Sequence, residues 1–228
     1  MKTIKHLSLA AAALAVLAFS SCNIGSDTND GPTIEDQKQM LSSLGTQKDG
    51  AFVYYNGDDN NTKDVTDTIP NIAVRFATNV DKDKNGNAIN YYSIGYFQFP
   101  VKMFSNFISQ DDLADAIAQM DPVSLKAKFI PYSIYSQTFL VNSYDIELGD
   151  IKVSDTKTYK NVVIKFYNDQ CLAGTETLRS NNKSYWCFYM QPAYIYVDGK
   201  PTNYLQNYKF NYNSYEPTFK FTTDINKE

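Results

Sequence analysis

The chain has 228 residues, with 21 Lys and Arg against 25 Asp and Glu, and 43% of its residues are hydrophobic. No run of basic residues appears, which argues against nucleic acid and against attraction to anionic lipid headgroups. The single histidine is His6, no Gly-x-Gly pair or Walker-type loop occurs, and so histidine-dependent catalysis, His-ligated zinc and nucleotide binding drop out together.

Lys2, Lys5 and His6 open the chain as a cationic segment, and residues 7–19 are apolar or small with no charge. That run is too short to span a bilayer as a helix and suits the apolar region of a secretory signal. Ser20, Ser21 and Cys22 follow. Small residues before a cut suit any cleavable signal, but a cysteine at the cut resembles the acylated first residue of bacterial lipoproteins. Phe19 departs from the leucine usual in that motif. Residues 1–21 are therefore read as a lipoprotein signal peptide, with Cys22 as the lipidation site. Removing Lys2 and Lys5 with the signal leaves nineteen cations against 25 acids, a mature charge of −6. The partner expected at this end is a membrane, reached through the N-terminal lipid, because two or more acyl chains anchor stably. The expected location is the outer membrane, with the periplasmic and outward faces both open.

Residues 22–33 are polar and rich in Gly, Ser, Asp and Asn, and read as a flexible tether of about 17–20 Å root-mean-square span. The remaining residues, 34–228, are long enough for one buried core. Thr33 with Asp36 three residues on predicts a capping box, Ile34, Met40, Leu41 and Leu44 an apolar helix side, and Gly45 its stop. A second helix is predicted from Ser109 as N-cap and Asp112, with Leu113, Ala116, Ile117 and Met120 at helical spacing and Asp121-Pro122 as its end.

Most of the rest alternates with period two. The stripes are Ile72, Val74 and Phe76; Ile94 and Tyr96; Val162, Ile164 and Phe166; Tyr208, Phe210 and Tyr212; and Phe219 and Phe221. Residues 184–196 are apolar on both faces and predict a central strand covered on both sides. Asp198-Gly199 between two strand patterns predicts a two-residue hairpin. The fold class expected is mainly β, with α+β at the margin: an antiparallel β-sandwich-like domain of about nine or ten strands with two short helices.

Tyr189-Met190-Gln191, Ile195-Tyr196-Val197-Asp198-Gly199-Lys200 and Asn203-Tyr204-Leu205 resemble the end of an uncharacterised Bacteroidota lipoprotein family, known only as a domain of unknown function. Phe99-Pro100-Val101, Pro122-Val123-Ser124-Leu125 and Tyr54-Tyr55-Asn56-Gly57 are similar to the same family. The resemblance implies envelope localisation and carries no activity, cofactor or site with it.

Chemistry is sparse. Asp81, Asp83, Asn85 and Gly86 match the start of a calcium loop, but Tyr92 stands where a bidentate Glu belongs, so a solvated hairpin loop is expected, with weak calcium as the alternative. No other cofactor is expected. Ser154-x-x-Lys157 and Ser180-x-x-Lys183 match a penicillin-recognising pattern without its companion motifs. Asp145 and Glu147 would share one strand face, and Asp58, Asp59, Asp64 and Asp67 lie in a polar loop, so a two-carboxylate hydrolase stays open. Asp67-Thr68-Ile69 resembles a short O-glycosylation motif centred on Thr68. Cys171 and Cys187 would oppose each other if their strands paired about position 179, a candidate disulfide; two buried thiols are the alternative. With 18 Tyr and 14 Phe, exposed aromatics that stack on sugars are a further candidate. The expected function is a lipid-anchored binding or interaction module rather than an enzyme, with a glycan or an envelope protein as partner. The alternatives are a glycan-capture accessory, a fimbria-like structural subunit and a carboxylate-dependent hydrolase. A flat aromatic platform would favour sugar, a cleft lined by two carboxylates hydrolysis, and a long free edge strand assembly.

Overall fold

Period-two alternation gives each strand one apolar face, and here eight strands bury that face by curling into a closed barrel. The computed structural model describes residues 31–55, 65–168, 170–177, 182–206, 208–210, 213–215 and 217–223. The segment 1–21, Cys22, most of the tether, Asp58, Asp59, Asp64, Ser180 and Tyr212 lie outside the described residues. The barrel strands are β1 (Gln47–Tyr55), β2 (Val65–Lys82), β3 (Ala88–Phe99), β4 (Val123–Ser133), β5 (Thr138–Ser143), β8 (Cys171–Thr177), β9 (Ser184–Met190) and β14 (Phe219–Thr222). Around the barrel the order is β1-β14-β9-β8-β5-β4-β3-β2, antiparallel throughout. A side sheet has the order β11 (Lys200–Pro201), β10 (Pro192–Val197), β7 (Thr158–Phe166) and β6 (Ile146–Lys152). A hairpin of β12 (Tyr208–Phe210) and β13 (Asn213–Tyr215) completes the strands.

The mainly β, antiparallel expectation holds, but the sandwich gives way to a barrel. An apolar stripe looks the same whether a strand faces a second sheet or the opposite wall of a cylinder. Closure comes from pairing across the chain: the 18-residue β2 bonds to β1 with its first half and to β3 with its second, and β14 near the C-terminus bonds to β1. Eight strands enclose a space that side chains can fill, and aromatic rings fill it. Phe188 lies 5.2 Å from Phe221, 5.3 Å from Phe129, 5.6 Å from Phe97 and 5.8 Å from Phe52, ring centre to ring centre. Gly95 is the gap that admits Phe129, since a Cβ there would stand 2.7 Å from its ring.

Helix α1 (Ile34–Leu44) forms as its sequence predicts, with the reciprocal Thr33–Asp36 capping box and Gly45 at φ 69°. It buries Met40, Leu41 and Leu44, and Gln37 Oε1 accepts the Tyr91 N–H at 2.7 Å on β3. A 3-10 helix (Val101–Phe107) was not legible beforehand: it is too short for a helical stripe and has no side-chain cap. Phe104 reaches Phe219 at 4.8 Å and Phe166 of the side sheet at 6.2 Å, so this segment links the barrel core to the side sheet. Helix α2 (Asp111–Ala118) starts later than expected, with Gln110 at the N-cap and no side-chain cap bond. Ser109 instead donates its N–H to Tyr204 O at 2.8 Å, and Asp112 leaves the cap to receive Lys157 Nζ at 2.6 Å and the Tyr159 hydroxyl at 2.8 Å.

Two strand expectations change. Residues 184–196 divide at Gln191 into β9 in the barrel and β10 in the side sheet, because Pro192 has no N–H to continue a ladder. Tyr96 faces outward with Ile94 buried on the same side outside the main core cluster, while Phe97 and Phe99 take the inner positions of β3. Asp198 at φ 51° and Gly199 at φ 73° make the expected tight turn joining β10 and β11.

Candidate functional site

With phenylalanines filling the barrel, the outer wall and the open face of the side sheet are left to meet a partner. On β4 the inward Leu125, Ala127 and Phe129 alternate with Lys126 and Lys128. Register sets Tyr96 between Arg75 of β2 and Lys126 of β4. Lys126 Nζ stands 5.6 Å from the Tyr96 ring centre and Lys128 Nζ 3.8 Å from that of Tyr92, whose hydroxyl bonds Asp81. Tyr144 joins them, donating its N–H to Lys126 O at 3.0 Å with half its surface exposed. Such cation–π contacts are worth about 0.5–1 kcal/mol each at exposed sites and hold the ammonium beside the ring.

The side sheet continues the surface. Asp145 pairs with Lys165 at 3.2 Å, and Lys165 Nζ lies 4.9 Å from the Tyr196 ring centre. Tyr194 contacts both Tyr196 and Tyr167 at 6.5 Å. Between barrel and side sheet lies a cleft of 470 Å³ lined by Lys128, Asn142, Tyr144, Asp145, Glu147 and Asn168, among others. A second depression of 280 Å³ is lined by Tyr167, Tyr194, Thr202, Asn203 and Pro217 among others. The chemistry on offer is stacking on flat ring faces and hydrogen bonding to hydroxyls by amides and carboxylates.

A different polar cluster is buried on the outer wall of β8, β9 and β14. Glu176 accepts Lys220 Nζ and the Tyr185 hydroxyl, and its other oxygen accepts the Tyr189 hydroxyl, each at 2.6 Å. Burial pushes the Glu176 carboxyl up, but the Lys220 charge and these hydrogen bonds outweigh it and hold the group below the usual glutamate range. Burial pushes the phenols of Tyr185 and Tyr189 up, so both stay protonated donors. Both carboxylate oxygens of Glu176 are engaged within the cluster, which fits a structural role.

Of the residues singled out from sequence, Asp145 and Glu147 do share the cleft. Asp81, Asp83 and Asn85 fall in the β2–β3 hairpin. Asp83 accepts the N–H groups of Asn85 and Asn87 at 2.8 Å and the Asn87 amide at 3.0 Å, which hold its carboxyl below the ordinary range. Among the described residues no three acidic, His or Cys side chains gather to hold a metal ion. Thr68 lies inside β2 opposite Val53 and half-buried, rather than in the loop where its glycosylation motif was placed. Ser154 sits in the β6–β7 turn, and Lys157 turns to Asp112.

The expected disulfide between Cys171 and Cys187 is corrected. Both are separate buried thiols. Ala173 pairs with Phe188 and Gly174 with Cys187, three residues out of the register the bridge required. An odd slip turns one residue to the other face, so Cys171 joins the barrel core while Cys187 lies on the wall carrying Glu176. Burial pushes the Cys171 thiol up to about 12, and Cys187 well up too. Thiol reagents at neutral pH are expected to leave both unmodified in the folded protein and to label both after denaturation without reductant. Failure to label after denaturation would restore the bridge.

Sequence reading did not place the tyrosine–lysine surface, because Tyr96 reads with Ile94 as one period-two stripe. The usable signal was Lys126 and Lys128 alternating with Leu125, Ala127 and Phe129, which marks the outer face of β4 and, by pairing, of β3. The chain matches no family model, and neither a curated protein nor a solved structure matches it significantly. Among the described residues no helix is long and apolar enough to cross a membrane.

Proposed function

We propose that this chain is a lipid-anchored envelope binding module that takes carbohydrate on its outer tyrosine–lysine face. The observation that carries the reading is the exposure of Tyr96, Tyr144 and Tyr194 on this face, with Tyr144 on a cleft furnished with Asn142, Asp145, Glu147 and Asn168. Exposed phenol rings stack on the apolar faces of sugars, and short amides and carboxylates grip the hydroxyls. Assembly by strand addition is less well served: barrel closure removes edges, and β6, at the rim of the side sheet, carries two register shifts that blunt it.

The test is a glycan array probed with the full-length protein in a detergent lacking a sugar headgroup. Binding is expected, and Tyr144→Ala is expected to weaken it at least tenfold with no change in melting temperature. An array without signal, or one indifferent to Tyr144→Ala, would remove the reading. For the anchor, Cys22→Ser is expected to abolish incorporation of labelled palmitate; continued labelling would rule out Cys22 as the acylated residue.

A second reading has its own observation, since Asp145 and Glu147 line one cleft. Hydrolysis would require one of them to act as acid or nucleophile. Loss of turnover in Glu147→Gln with sugar binding intact would favour that reading over simple capture.

A further inference from the structure

We propose that the ligand is an internal stretch of an extended, uncharged polysaccharide, laid across the side sheet from the cleft at Asp145 to the depression at Asn203. This rests on the carbohydrate reading above and specifies its ligand. The two depressions flank consecutive residues: Asn168 lines the first and Tyr167 the second. At 470 and 280 Å³ they sit in and just below the range of about 300–1,000 Å³ that encloses a whole small ligand. The second is thus too small for more than a piece of a larger molecule, whose remainder the adjacent cleft has room to take.

The ground between them is continuous. Asp145 precedes β6 and pairs with Lys165 on β7, Lys165 pairs in register with Tyr194 on β10, and Tyr194 forms a wall of the second depression. Three adjacent strands at about 4.8 Å spacing give a track of roughly 10 Å between the two depressions. Tyr194 on this track is half exposed, so among the described residues the ground lies open and chain ends are not selected.

Charge decides against an acidic chain. The ionised lining of the cleft is one cation, Lys128, against two carboxylates, Asp145 and Glu147. Lys165 is already engaged by Asp145. With Asp145 neutralised by Lys165 and Glu147 balanced by Lys128, the cleft offers a uronate or sulfate no surplus cation, whereas neutral hydroxyls can both donate to carboxylates and accept from ammonium groups.

A ligand reaching both depressions gains from the second as an intramolecular event, so affinity should climb with length until both are filled. The experiment measures dissociation constants for ladders of one to eight sugars from cellulose, xylan, mannan and starch, with oligogalacturonate as the acidic ladder. The full-length protein is used in the same detergent. On at least one neutral ladder the hexasaccharide is expected to bind about 30-fold or more tighter than the disaccharide. Tyr194→Ala is expected to flatten that rise, while Tyr144→Ala weakens short and long chains alike. Equal affinity for disaccharide and hexasaccharide, or preference for the acidic ladder, would overturn the inference and leave the carbohydrate reading standing. Failure of every ladder, together with a silent glycan array, would overturn both.

Discussion

Replacing Glu176 with alanine is expected to lower the unfolding free energy by about 3–5 kcal/mol, because it strips a buried ammonium of its counter-charge. Lys220 and Glu176 side chains are 6% and 15% exposed, too little for water to take over the role of the lost partner. The Tyr185 hydroxyl at 3.3 Å and the two ring faces at 4.9 and 5.2 Å, which Lys220 would keep, carry no counter-charge. For a chain of this size the loss corresponds to roughly 6–20 °C in melting temperature. Removing the whole cluster should cost less than removing half of it. The quadruple variant Glu176→Leu, Lys220→Met, Tyr185→Phe and Tyr189→Phe leaves no orphaned charge or hydroxyl, and is expected to regain most of the stability. If the quadruple variant were less stable than Glu176→Ala, the pair would be contributing net attraction rather than balancing its own burial.

The same cluster sets a pH dependence with a definite sign. The folded-state value of Glu176 is depressed, so its contribution is complete above the ordinary glutamate value of about 4.3. It is lost as pH falls through the lower folded value. Denaturant midpoints measured from pH 6 down to pH 2 are expected to fall more steeply for the natural chain than for Glu176→Gln. Parallel curves would show that the carboxyl is not depressed in the fold.

Phe188→Ala is expected to be about as damaging, at roughly 3–5 kcal/mol. The ring lies between Phe221, Phe129, Phe97, Trp186 and Phe52 at 5.2–5.8 Å, in the middle of a barrel whose walls are tied by hydrogen bonds on both sides. A closed barrel cannot collapse inward as a loop would, so the cavity remains and its cost is added to the lost burial. Tyr135, which is 99% exposed, supplies the contrast: Tyr135→Ala should fall within about 0.5 kcal/mol of the natural chain. Urea unfolding of the two variants side by side is the check, and equal midpoints would mean the rings do not form one core.

Local chemistry made parts of this molecule legible before any fold was known. The α1 capping box needs only Thr33, Asp36 and Gly45, all within one short segment, and the Asp198-Gly199 turn needs only two residues that tolerate positive φ. The inward stripes of β7 and β14 were readable from period two, with Lys165 between Ile164 and Phe166 and Lys220 between Phe219 and Phe221. Residues apolar on both faces gave no such guide: in β9 the same alternation serves the core through Trp186 and Phe188 and the buried wall cluster through Tyr185 and Tyr189.

What the sequence determined by itself is therefore the mainly β class, the helix α1 and the tight turn at Asp198-Gly199, since each follows from interactions among near neighbours. Tertiary structure alone decided the barrel, the register that separates Cys171 from Cys187, and the meeting of Lys128, Tyr144 and Asp145 at one cleft. Those depend on which strand pairs with which, and on an offset of a single residue, because side chains alternate with period two and every odd slip exchanges inside for outside.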